Sequence, residues 1–178
     1  MSAIADRACC SDETLLRAQE GDGDAFAEII EEHQAMVFSI ACNFIGSRDA
    51  GEEIAQDVFL QLYRNLRGIQ SSDHLRFWLR QVTSRKCIDA LRRGTPVKVG
   101  LETVSLAVPP GVSDPFLARR LRRLIDSLPD MQRLVLTLRY QEDLGPADIG
   151  DLLGMPANTV KSILHRALVA LRNQLGDL

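Results

Sequence analysis

Asn158, Thr159, Lys161, Ser162, His165 and Arg166 fall on one front of a short stretch whose remaining residues are largely apolar, and all six can hydrogen-bond. Amides, hydroxyls and an imidazole exchange hydrogen bonds with base edges, while Lys161 and Arg166 bring charge for phosphates. The chemistry is recognition rather than bond making. The stretch that carries them, GPADIGDLLGMPANTVKSILHRALVALRNQ from Gly145 to Gln174, divides into two helices and a tight turn. Pro146 suits a first helical position, and Ile149, Leu152 and Leu153 follow at helical spacing. Gly154 ends that helix by taking a left-handed conformation, Met155 and Pro156 carry the turn, and Asn158 is expected to cap the second helix. Val160, Ile163, Leu164, Ala167, Leu168 and Leu171 are its expected buried side. A helix-turn-helix of this form lays its second helix in a major groove. An ordinary helical hairpin with a solvated outer face shares the pattern. The length of the first helix and the glycine in the turn favour DNA. Arg172, one turn further on, is as compatible with a surface charge as with a phosphate contact.

A second group with phosphate chemistry lies upstream. The net charge of −3 conceals an asymmetry: residues 1–75 hold 5 Lys/Arg against 14 Asp/Glu, whereas residues 76–100 hold 7 against 1. The positive charge gathers in one helix, Arg76 to Arg93, with Arg76, Arg80, Ser84, Arg85 and Arg92 off its apolar side. Such a cluster attracts phosphate with a strong dependence on salt.

Other chemistry finds no footing. The sequence has no Gly-rich phosphate loop, and His33, His74 and His165 are scattered. Cys9, Cys10, Cys42 and Cys87 show no metal-ligand spacing, so reduced thiols are expected, and no metal or cofactor. Glu31, Glu32, Glu52 and Glu53 read as solvated helical faces or as attraction toward a basic partner. An enzyme is not expected. The longest apolar stretch, around Met36 to Ile45, is too short to span a bilayer, and the N-terminus lacks a signal pattern, so no membrane insertion and a cytoplasmic location are expected.

The elements that must position these groups are helices. Aromatic residues make up 5% of the chain against 46% hydrophobic residues overall, alternating apolar runs are nearly absent, and Leu, Ala, Arg and Glu abound. This favours an all-α fold. Phe26, Ile29, Ile30, Met36, Val37, Ile40 and Phe44 predict a long helix from Asp24 to Phe44, ending at Gly46. Ile54, Val58, Leu62 and Leu66 mark a second, starting near Asp49 or Gly51. After a polar loop, Arg67 to Asp73, a third helix begins near Asp73 or His74 and buries Trp78, Leu79, Val82, Ile88 and Leu91. Residues 94–113 break the period with Gly, Pro and β-branched residues and read as a flexible linker. Fully extended, they reach roughly 65–70 Å, so two domains could grip one duplex at separated sites. Asp114–Pro115 opens the next domain, with helices over about 115–127 and 129–142 before the helix-turn-helix. The expected organisation is a disordered N-terminus at 1–11, helical domains at 12–93 and 114–176, and the linker between them.

Taken in order, DVFLQLYRNL, the polar loop, FWLRQVTSRKCIDALRR, the linker, LIDSLPDMQRLVLTLRY and the terminal helix-turn-helix resemble a bacterial RNA polymerase sigma factor. With no further domain between its halves, the chain is similar to the extracytoplasmic-function class, over about residues 12–175. The resemblance implies a specificity subunit, not a catalyst, whose partners are the RNA polymerase core, promoter DNA and an anti-sigma factor. It implies that residues 12–93 bind core and recognise and melt the minus-ten element, and that 114–176 read the minus-thirty-five element. It places Gln56, Asp57, Phe59, Leu60 and Arg64 against the clamp of the largest core subunit, with Ile54, Val58 and Leu62 as core. The loop Arg67 to Asp73 matches one that captures a flipped base, here offering Ile69, Gln70, Ser71 and Ser72 without an aromatic platform. Arg76, Arg80, Ser84, Arg85, Lys86 and Arg92 would hold the same element.

Two stretches, one in the basic helix and one in the last helix, depart from the resemblance. Many relatives carry Arg at Gln81 and an Arg–Asn pair at Ser84–Arg85, and often Arg at Ile163 and Leu168. Fewer upstream phosphate contacts, resting on Lys161, Ser162 and Arg166, are expected. The competing reading is a conventional helix-turn-helix regulator with residues 12–93 as a sensing or dimerising domain, which leaves the basic helix and its loop without a role. A helical adaptor that binds no nucleic acid is a second competitor.

Overall fold

The computed structural model describes residues 11–93 and 115–176, all of whose regular structure is helical. Eight α-helices follow in order: α1 (Asp12–Gln19), α2 (Gly23–Ile45), α3 (Arg48–Asn65), α4 (Ser72–Arg92), α5 (Pro115–Asp126), α6 (Asp130–Tyr140), α7 (Pro146–Leu153) and α8 (Ala157–Gly176). A 3-10 turn, Leu66–Gly68, joins α3 to the loop before α4. The expected linker 94–113, Asp114, Cys9, Cys10 and nearly all of the expected disordered terminus lie outside the described residues, as does the Leu91 side chain.

Helix boundaries follow local hydrogen-bond chemistry. The Asp22 carboxylate accepts from the Asp24 and Ala25 N–H groups at 2.9 and 3.1 Å, starting α2 where its first amides have no helical partner. The Ala25 N–H, then Arg17 and last the Asp24 N–H, hold the Asp22 carboxyl below the usual carboxylate range. Gly46 closes α2 at φ 74°, and Ser47 caps α3 by accepting from the Ala50 N–H. The predicted helices 24–44 and 129–142 match α2 and α6 to within a few residues. α1 has no counterpart among the sequence expectations. It is eight residues long, begins when Ser11 accepts from the Thr14 N–H at 3.1 Å, and buries only Leu15 and Ala18.

In the N-terminal domain α2 lies between α1, α3 and α4, and its Ile29, Val37, Ile40 and Phe44 are fully enclosed. Burying such side chains stabilises the fold by about 1.5–3 kcal/mol each. In the C-terminal domain α8 packs on α6 and α7, with Leu134, Leu138, Ile149, Leu152 and Val160 at the centre. The two domains meet. α6 rests on α2 and α7 touches α4, so one apolar cluster runs through both. Arg133, itself buried, stacks 5.7 Å above the Phe44 ring, and Asn43 donates to Gln141 at 2.6 Å.

Candidate nucleic-acid interface

The helix-turn-helix is built by α7, a turn and α8. Pro146 occupies the first position of α7, and the Gly145 N–H donates to Asp148 at 3.0 Å. Gly154 takes φ 68°, as the turn requires, and the Met155 N–H returns to the Gly150 carbonyl at 2.9 Å. Gly150 is the closer constraint. A Cβ there would stand 2.6 Å from the Met155 carbonyl oxygen, so the turn folds back against a helix that has no side chain at that point. Asn158 does not cap α8 as expected. The helix starts two residues earlier than that cap implies, at Ala157, and the Pro156 carbonyl accepts from Thr159 and Val160, which places Asn158 within the first turn.

That shift leaves the polar front intact. Asn158, Thr159, Lys161, Ser162, His165 and Arg166 are all exposed, while Val160, Ile163, Ala167 and Leu171 are buried and Leu164 half-buried. Leu168 departs from expectation: it is 42% exposed, because α6 and α7 cover a narrower stripe of α8 than the full apolar pattern. Ser162 Oγ donates to the Asn158 carbonyl at 2.9 Å and Arg166 Nε to the Ser162 carbonyl at 3.2 Å, so both side chains lie along the front.

The basic helix α4 is placed differently. Arg85 and Arg92 are exposed. Arg80 is not free for phosphate: its Nε donates to Glu142 of the α6–α7 turn at 3.0 Å, Nη2 lies 2.9 Å from the same carboxylate oxygen in an ion pair, and both side chains are largely buried. Lys86 pairs with Asp57 at 3.0 Å, and Arg76 approaches Glu32 at 3.8 Å. Ser84 is fully buried, with no hydrogen-bond partner for its hydroxyl, and Ile69 is 4% exposed. Neither reaches nucleic acid as placed, which corrects two expected contacts. The cause is coverage: α4 is packed by α2 and α3 and touched by α7, so its buried face is wider than a lone amphipathic stripe. Thr83 falls in the same face and donates to the Leu79 carbonyl at 2.6 Å.

The loop before α4 is held by hydrogen bonds. Gln19 of α1 donates from Nε2 to the Leu66 and Ile69 carbonyls at 2.9 and 2.8 Å. Asp12 accepts from the Ser72 N–H at 2.7 Å, Ser71 accepts from the His74 N–H, and His74 Nδ1 accepts from the Gln70 N–H, the latter two at 3.1 Å. Gln70 is exposed, and Ser71 and Ser72 are half-buried. Gln19 and Asp12 escaped sequence reasoning. The only local traces of α1 are the Ser11 cap and the Leu15–Ala18 spacing.

Among the expected core-polymerase contacts, Gln56, Phe59 and Leu60 line an apolar groove of about 480 Å³ between α2 and α3, together with Phe26, Ile30 and Tyr63. Leu60 and Tyr63 are 56% and 67% exposed, and Tyr63 meets Phe26 edge-on at 5.3 Å. Asp57 and Arg64 are exposed outside the groove lining, and Ile54, Val58 and Leu62 are core as expected.

Nucleophilic and metal chemistry gain no support from the titratable groups. Burial pushes the Cys42 thiol up to about 11 and Cys87 up to about 12, away from thiolate reactivity. Burial lowers His33, whose Nε2 has no hydrogen-bond partner; Glu32 opposes the shift, and Arg76 and Arg80 add to it. No group of three or more metal-ligating side chains occurs among the described residues, and no described helix is long and apolar enough to cross a membrane.

Comparison with known proteins settles what two such surfaces in one chain belong to. Residues 29–96 match Sigma-70 region 2, and residues 118–171 match Sigma-70, region 4. The ECF RNA polymerase sigma factor SigW of Bacillus subtilis is 31% identical, over 92% of this chain and 96% of that protein. The chain belongs to the sigma-70 family, in its extracytoplasmic-function class. It is a sigma factor, a subunit that joins RNA polymerase and recognises promoter DNA. Two solved structures share the fold, each with a TM-score of 0.67: CnrH in complex with the cytosolic domain of CnrY (18% identity, covering 94% of this chain and 98% of that one), and the sigma factor RpoE with the anti-sigma factor NepR from Bartonella quintana (19%, 85% and 96%). The conventional-regulator reading is not favoured.

Proposed function

We propose that this sigma factor divides its work between the two domains. Residues 12–93 bind core polymerase and recognise and melt the minus-ten element, and residues 114–176 read the minus-thirty-five element. The exposed polar front of α8, backed by a buried apolar side, carries the reading: Asn158, Thr159, Ser162 and His165 address base edges, and Lys161 and Arg166 the phosphates. The groove at Gln56, Phe59 and Leu60, with Asp57 and Arg64 beside it, takes the clamp of the largest core subunit; exposed Leu60 and Tyr63 give it the apolar centre a protein interface needs. Gln70, Ser71 and Ser72 receive a flipped base, and Arg76, Arg80, Arg85, Lys86 and Arg92 hold its strand. Since Arg80 is paired with Glu142, DNA must displace that carboxylate to use it.

The role is not catalytic and its setting is the cytoplasm, where the polymerase works. An anti-sigma factor is the expected repressing partner, in line with the anti-sigma factor NepR bound to RpoE in one of the solved structures of this fold. The test is reconstitution of the chain with sigma-free core polymerase and a pool of genomic fragments. Promoter-specific initiation is expected. Sequence-specific duplex binding by the chain alone, without core binding, would hand the reading to a conventional regulator.

A further inference from the structure

The loop that joins α3 to α4 is the segment assigned above to base capture, yet its shape is set by a helix outside it. Ile69 is buried, which anchors the loop but leaves the backbone on either side to be satisfied. Both ends are held by α1. At the first end, one amide nitrogen of Gln19 donates to the carbonyls of Leu66 and Ile69, closing across the 3-10 turn. At the other, the Asp12 carboxylate takes the Ser72 N–H, an otherwise unpartnered amide at the start of α4. Between these points Gln70 stands exposed, with its own N–H held by His74. The two contacts span 47 to 60 positions of sequence and tie a short, largely polar helix to one loop.

We propose that Gln19, supported by Asp12, is a specificity-determining positioning residue: it fixes the backbone of the Leu66–Ser72 loop so that Gln70 and Ser71 meet a single base in one geometry. The inference rests on the base-capture reading of that loop. Its physical basis is pre-organisation. A loop that is ordered before binding discriminates by the fit of its donors and acceptors, whereas a loosened loop re-arranges to suit any base and loses the difference. Gln19 touches neither core polymerase nor DNA in this scheme. Its donor character is what matters, because both partners are carbonyl oxygens that only accept.

The experiment uses holoenzyme assembled from the full chain and core polymerase, and a single-stranded DNA library randomised over six positions between fixed flanks. Retained strands are sequenced. Unmodified holoenzyme is expected to enrich one base at one position above the rest. Gln19→Glu, which is nearly isosteric but offers no donor when ionised, is expected to flatten that preference by about fivefold or more, leaving core affinity and the remaining positions unchanged. Gln19→Lys, which keeps a donor, retains more of the preference than Gln19→Glu, and Asp12→Ala flattens the same position more weakly. A preference undiminished in Gln19→Glu overturns the proposal. So does an equal loss at every position accompanied by a fall in thermal midpoint, since that marks a general loss of structure. If unmodified holoenzyme initiates from promoters but enriches no base in this library, the base-capture reading fails, and the positioning role fails with it.

Discussion

The two helices proposed to face DNA, α8 and α4, carry similar polar residues under different conditions. On α8 the polar front is open, its hydroxyl and guanidinium bonded only to their own helix backbone. On α4 three of the charges are engaged by the rest of the chain, Arg80 by Glu142, Lys86 by Asp57, and Arg76 near Glu32, while Arg85 and Arg92 stay exposed. Ser162 is exposed and Ser84 is fully buried, although each sits beside a basic residue in a helix. The polar front of α8 lies away from the helices that cover it, whereas α2, α3 and α7 together close over residues of α4 that its sequence pattern leaves outside, Ser84 among them. The acidic charge of residues 1–75 therefore does more than balance the net charge, because part of it lies directly against α4.

Paired substitutions test this contrast most severely. Ser84→Arg places a charge in a closed site without a counter-ion and is expected to destabilise the protein by about 3 kcal/mol or more. Ser162→Arg should stay within roughly 0.5 kcal/mol. Denaturant midpoints of the two variants check both, and equal midpoints would dissolve the distinction. Next in size, Lys161→Ala should weaken minus-thirty-five binding several-fold and lower the slope of log affinity against log salt by about 0.9, with core assembly unchanged. Unchanged footprinting of that element would remove Lys161 from the interface. A smaller effect, of opposite sign, is expected from Glu142→Gln, which releases Arg80. Affinity of the chain for single-stranded DNA should rise by about threefold, more than for Asp143→Asn, which removes the same charge from a side chain 97% exposed. Matching gains in both variants would reduce the effect to net charge.

The smallest expected effect concerns His33, beside the same arginines. Burial keeps its pKa below the ordinary 6.5, with Glu32 opposing and Arg76 and Arg80 assisting. A lowered folded-state value means that the unfolded chain binds the proton first as the pH falls. The stability due to neutral His33 is therefore complete above about 6.5 and is lost as the pH drops through that value toward the folded one. His33→Gln should unfold with a shallower acid limb, read from thermal midpoints between pH 7.5 and 5; identical limbs would exclude His33 as the cause.

Much of this architecture was legible residue by residue. Pro146 and Gly154 bound α7 as their backbone chemistry requires, Gly46 ends α2, and the six polar residues of α8 emerge on one side because a 3.6-residue period leaves them nowhere else. The cap expected at Asn158 lies two residues past the observed helix start, where the Pro156 carbonyl begins the helix in place of a side-chain cap. α1 was missed because eight residues with two buried side chains carry too little periodicity to stand out. Ser84 and Ile69 were assigned to DNA from their neighbours in sequence, which say nothing about what covers them.

Local chemistry alone determined the helices, their ends, the two polar faces and the charge division along the chain, since each depends on residues within a turn or two of one another. Only the tertiary structure decided which polar groups remain available. That Gln19 reaches the Leu66 and Ile69 carbonyls, and that Glu142 closes on Arg80 from 62 residues away, follows from how helices pack, and burial and charge pairing act through space rather than along the sequence.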